Sequence, residues 1–174
     1  MKKLQIIILV MTISSCSSTK VNYDFEKTTD FTVYKTYNYY IDMQTGLNEL
    51  DSKRLLKAID NQLTIKGIVL SDNPDFLINI KSSEYQEPQN SSVGVGVGGG
   101  GGNVGGGVSI GIPIGQSNIN RQIIIDFVDE NKNGLFWQAI SESSFNPNSS
   151  PEIKEEKLNE IVTKVFSEYP PTKN

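Results

Sequence analysis

The chain has 174 residues, with 16 basic and 20 acidic side chains, a formal charge of −4, one cysteine and no histidine. Lacking histidine, it has no Ser-His-Asp or Cys-His nucleophile system and lacks the usual ligand of zinc and copper sites. A single thiol cannot form an internal disulfide, and an acidic chain without a basic run does not suit nucleic acid. Any catalysis would have to rest on carboxylates, tyrosine or lysine. The composition therefore points to a non-enzymatic protein with no cofactor and no metal, and leaves a carboxylate-based hydrolase as the residual enzyme class.

The N-terminal stretch reads as an export signal. Lys2 and Lys3 form a positive head, and Leu4 to Ile13 is an apolar run too short to span a bilayer. Ile13-Ser14-Ser15-Cys16 resembles a bacterial lipobox. That resemblance implies a signal peptide over 1–15, cleavage between Ser15 and Cys16, and acylation of Cys16, palmitate included. The protein is then expected to be a lipoprotein attached to a membrane through its N-terminal lipid. Ser17 and Ser18 lack the aspartate of inner-membrane retention and the acidic run of surface export. The expected location is therefore the outer membrane, facing the periplasm. Removal of Lys2 and Lys3 takes the formal charge from −4 to −6.

Residues 16–21 read as a tether, and 22–170 as the domain, followed by a short tail over 171–174. Asn22 to Ile41 reads as one extended stretch. Phe31, Val33, Tyr37, Tyr39 and Ile41 fall on one parity, and Tyr34 and Tyr40 on the other. Asn48 to Lys66 predicts a helix capped by Asn48, with Glu49 and Asp51 suiting the positive end of its dipole. Leu55, Ile59 and Leu63 form its apolar stripe, widened by Leu56 and Ala58, and Gly67 is the expected residue just past its end. Ile68 to Leu70 predicts a short strand, Ser71 to Pro74 a turn, and Asp75 to Tyr85 a strand with Phe76, Ile78 and Ile80 inward.

The segment 93–115 is glycine-rich and holds twelve of the chain's 15 glycines. No charge occurs between Glu87 and Arg121. The match to G-x-G-x-x-G at Gly94, Gly96 and Gly99 follows from composition, with neither a following helix nor a Lys to hold phosphate. Val93, Val95 and Val97 alternate with glycine on one side, as Val108, Ile110, Ile112 and Ile114 do with small residues on the other. Two readings stand: a disordered or loosely ordered insert, or an apolar strand that associates with an envelope protein partner, with the membrane or with a second copy.

Arg121 to Val128 predicts a strand with Ile123, Ile125 and Phe127 on one face. A turn over 129–134 and a partner strand over Leu135 to Ser144 complete a hairpin. Asp129, Asn131, Asn133 and Gly134 match the first half of a calcium loop. Ile140 stands where the bidentate glutamate is required, so the turn reads as a plain hairpin. Ser150 caps a second helix with Pro151 at its first position, and Leu158, Ile161, Val162, Val165 and Tyr169 form its stripe. Pro170-Pro171 ends it. Trp137 reads as core. The crowded tyrosines at 34, 37, 39 and 40 read as sheet packing or, alternatively, as a surface for glycan or lipid. Asp24 with Glu26, and Asp126 with Asp129, are the only carboxylate pairs considered for glycoside chemistry. The simplest assembly is an α+β fold, an antiparallel sheet of four to six strands with two helices on one face and a glycine-rich insert.

At this level the chain resembles the DUF4136 family of exported bacterial lipoproteins. The resemblance rests on an ordered set: Val21 to Phe25 with Asp30 to Tyr37, Ala58-Ile59-Asp60 with Lys66-Gly67, and Asn73 to Ile78. The glycine-rich insert follows, then Ile125 to Asp129 with Gly134 to Ala139, and last the helix from Pro151 to Phe166. Phe25 departs from the family's usual turn-former, and the insert lacks the aromatics common in relatives. Membership implies an α+β fold and an envelope location, and no established activity.

Overall fold

The computed structural model describes residues 19–86, 119–132 and 134–172. The signal segment, Ser15 and Cys16, the glycine-rich insert with Val93 to Ile114, Asn133 and the last two residues lie outside that set. Chain order is β1 (Lys20–Phe25), a 3-10 turn (Phe31–Val33), β2 (Thr36–Tyr39), α1 (Glu49–Ile65), β3 (Val69–Leu70), β4 (Phe76–Gln86), β5 (Ile119–Asp129), β6 (Gly134–Phe145) and α2 (Pro151–Phe166).

The local signals behave as expected. Asn48 accepts from the Asp51 N–H at 2.9 Å and starts α1. Gly67, at φ +76°, ends it. The N–H of Ile68 reaches the carbonyl of Leu63, and that of Gly67 the carbonyl of Thr64, so the last turn's acceptors are satisfied. Ser150 caps α2 through the Ile153 N–H. The helix stops at Phe166, so Tyr169 packs from the following turn.

The six strands lie in the order β1-β6-β5-β4-β2-β3. Here the expectation of an antiparallel sheet needs correction, because the sheet is mixed. β1, β6, β5 and β4 pair antiparallel, while β2 pairs parallel with both β3 and β4. The cause is α1. A helix between β2 and β3 returns the chain to the end it left, so the next strand runs the same way. The stretch 22–41 also divides. β1 occupies one edge of the sheet and β2 lies near the other, separated by the turn at 31–33. Val33 and Ile41, on the same parity as the buried Tyr37, are exposed. Lys20 and Val21, expected in the tether over 16–21, already pair with Glu142 and Ser141 of β6.

One sheet face is covered. Ile78, Ile80, Ile123, Ile125, Phe127, Trp137 and Ala139 are buried against Leu55, Ile59 and Leu63 of α1 and Leu158, Val162, Val165 and Phe166 of α2. A shift in register between Phe127 and Val128 leaves Phe136 as an extra residue on β6. The bulge turns Phe136 and Trp137 to the same side, which alternation alone forbids. Both rings enter an aromatic cluster with Phe127, Phe166 and Tyr169.

Candidate functional site

The described ends of the glycine-rich segment are side by side. Gln86, the last residue of β4, pairs with Ile119, the first of β5, and Ile119 pairs in turn with Phe145, the last of β6. Three residues back along the ladder, Ser83, Gln122, Glu142 and Lys20 share one row. The chain's N-terminal strand therefore begins at the same end of the sheet from which the glycine-rich segment leaves.

That end is held by a charged network that the sequence reading missed. Asp51, 1% exposed, accepts from Arg54 at 2.8 Å and from Asn48 at 2.9 Å, and lies 3.5 Å from Arg121 Nη1. Arg121 Nη2 donates to Glu84 at 2.7 Å, its partner across the β4–β5 ladder. The Arg121 guanidinium lies 3.4 Å from the centre of the Phe145 ring, a cation–π contact. These bonds tie the first turn of α1 to the two strands at the root of the insert. A signal was present: Arg121 is the first charge after the long uncharged run, where a strand must re-enter the fold.

Thr19, the first described residue, is held just as firmly. Thr19 is buried; its hydroxyl donates to Glu160 at 2.8 Å and accepts from Lys157 Nζ at 3.0 Å. Its carbonyl accepts from Lys164. Burial raises the Glu160 carboxyl, but its bonds to Lys157 and Thr19 outweigh that and leave it below its ordinary value.

The tyrosines are mostly structural. Tyr34 stacks on Phe136 at 4.2 Å and donates to Asp129 at 3.0 Å. Burial, reinforced by that carboxylate, pushes its hydroxyl up to about 12. Tyr37 and Tyr39 both donate to Asp60 of α1, at 2.6 and 2.7 Å, and burial raises both hydroxyls further, with Asp60 adding to the shift. A surface built from all four rings is therefore excluded, since Tyr34 and Tyr37 are core residues. Tyr40 lines a groove on the open sheet face with Asn38, Asn79 and Lys81, while the Tyr39 ring turns to α1.

Asp24, in β1, accepts from the Phe25 N–H, and Glu26, just past the strand, accepts from Thr28. Asp126 accepts from Gln138 on the open face, while Asp129, three residues on, is turned into the covered side. Asp129 also accepts from the Asn131 N–H, the bond of an ordinary turn.

A cleft of about 580 Å³ opens at the insert end of the sheet, between the ends of β5 and β6, the 146–149 loop and α2. Ile119, Arg121, Phe145, Ile153, Lys157 and Leu158 line it.

A mixed six-stranded sheet backed by two helices, with the start of β1 and the junction of β4 and β5 at one end, defines an α+β module. The family model of DUF4136, described as a domain of unknown function, matches residues 21–171, and the chain belongs to that family. No curated protein matches it. Among solved structures it is similar to a PDZ domain protein from Parabacteroides distasonis, with 17% identity and a TM-score of 0.58. That likeness covers 99% of this chain and 41% of the other, so the chain spans less than half of that protein, and at this identity the likeness is one of fold. It is also similar to a PelC dodecamer from Paraburkholderia phytofirmans, at 9% identity and a TM-score of 0.49, over 86% of this chain and 96% of the other.

Proposed function

We propose that the chain is a lipid-anchored cell-envelope protein whose domain is a non-enzymatic binding or assembly module, attached to the outer membrane and facing the periplasm. The observation that supports this most directly is the fixing of Thr19. Only Ser17 and Ser18 separate it from Cys16, so an extended chain places the acylated residue within about 11 Å of the folded surface. Two or more acyl chains make such anchoring stable where one would not. The module then works close to the bilayer, with the root of the glycine-rich segment at the same end. Val93, Val95, Val97, Val108, Ile110, Ile112 and Ile114 are the residues proposed to contact an envelope protein or a second copy. Asp126 and Asp129 lie on opposite sides of the sheet, which favours binding over hydrolysis by that pair.

The test is metabolic labelling with palmitate and membrane fractionation of the full chain and its Cys16→Ala variant, each also crosslinked with and without residues 93–115. The expected outcome is label and membrane retention for the parent alone, and loss of crosslinked species on deletion. A Cys16→Ala chain that stays labelled and membrane-bound would sink the anchoring. Crosslinked species unchanged by the deletion would sink the role of the insert.

A further inference from the structure

The cleft at the insert end has properties that the network and the anchor do not account for. Ile153, Lys154, Lys157, Leu158 and Ile161 recur at spacings that share one face of α2, and all line the cleft. Both lysines of that face are in the lining, whereas Glu152, Glu155 and Glu156 are not. Lys157 is paired with Glu160 at 3.0 Å and bonded to Thr19, so Lys154 is the cation that this apolar wall presents.

Arg121 stands in the same lining, 6% exposed. Its two terminal nitrogens face Glu84 and Asp51. Its Nε is buried and has no acceptor among the described residues. A buried donor without an acceptor is costly, and natural structures rarely leave one. Water would meet that donor but leave the walls of Ile119, Phe145 and Leu158 uncovered. An amphiphile with an apolar chain and an oxygen acceptor satisfies both.

We infer that the cleft binds an anionic phospholipid of the membrane to which the chain is anchored. An acyl segment lies against Ile119, Phe145 and Leu158, the phosphate faces Lys154, and an ester or phosphate oxygen accepts from Arg121 Nε–H. The inference rests on the envelope reading for its source of lipid. Lys157, which lines the cleft, also donates to Thr19, so the first described residue sits at the cleft's rim. Charge complementarity selects the anionic headgroup, because basic side chains at a bilayer surface are attracted to anionic lipid.

The test uses the chain from residue 16 with Cys16→Ser, which carries no covalent lipid. It is sedimented with phosphatidylcholine vesicles, with and without phosphatidylglycerol. Ile153→Glu and Lys154→Glu are compared with it; Ile153 is 56% exposed, so the first change spares the core. The parent is expected to bind the vesicles containing phosphatidylglycerol, and each variant on the order of tenfold less, with melting unchanged. No binding by the parent, or equal binding by both variants, overturns the inference. Binding that emerges only after removal of 93–115 also overturns it, and assigns the cleft to the chain's own segment. Because the thiol is absent throughout, failure here is distinct from failure of acylation at Cys16.

Discussion

Replacing Asp51 with alanine probes the network that joins α1 to the insert root. The backbone N–H of Asp51 keeps its bond to Asn48, so the helix cap survives and only the carboxylate is lost. Three partners lose an acceptor: Arg54, Asn48 and Arg121. Arg54 is 20% exposed at its side chain and regains water. Arg121 cannot, and is left with Glu84, whose side chain is 46% exposed. Breaking a buried ion pair costs about 3–5 kcal/mol. The remaining Glu84 bond offsets part of that, so the expected loss is about 3 kcal/mol. In thermal terms this is a drop on the order of 10 °C for a domain of this size. Trp137, the chain's one tryptophan and fully buried, reports core unfolding by fluorescence in urea. Adding Arg121→Met to Asp51→Ala removes the stranded charge and is expected to recover stability to within about 1 kcal/mol of the parent. A loss under about 1 kcal/mol for the single variant, or no recovery in the double, would refute the reasoning.

Two further predictions concern backbone space and pH. Gly46 has φ +74°, and a Cβ there would lie 2.4 Å from the Ser82 carbonyl oxygen, whereas at Gly67, φ +76°, it would meet nothing within 4 Å. Gly67→Ala is expected to cost about 1 kcal/mol from backbone strain alone, and Gly46→Ala clearly more; equal urea midpoints would contradict this. Burial raises the hydroxyls of Tyr34, Tyr37, Tyr39 and Tyr169 above the ordinary value of 10.0. The unfolded chain releases these protons first, so their contribution is complete below pH 10 and is lost as pH rises toward the folded values. Stability should fall steeply above pH 10, with tyrosinate absorbance growing as the chain unfolds. Ionisation of all seven tyrosines near pH 10 in a chain that stays folded would rule this out.

Much of the local structure was legible in the residues themselves. Asn48, Gly67, Ser150 and Pro151 mark helix ends through hydrogen bonds and dihedral preferences within a few positions. The stripes at Leu55, Ile59 and Leu63, and at Leu158, Ile161 and Val165, follow from the period of the helix. The alternation at 76–80 and 123–127 follows from that of the strand, and the ordered motifs carried the family. Strand pairing could not be read this way, because it joins residues far apart. β1 reaches β6 at one edge and β2 inserts between β3 and β4, choices set by how α1 and α2 cover a single face. The same distance hid the meeting of Asp51, Glu84 and Arg121, each unremarkable in its own segment. It also turned Tyr34 and Tyr37 from a candidate surface into core, since their partners Asp129 and Asp60 come from other elements. Short-range chemistry determined the elements and their ends. The tertiary structure decided which charges are buried together, and that Thr19, the insert root and the cleft share one end.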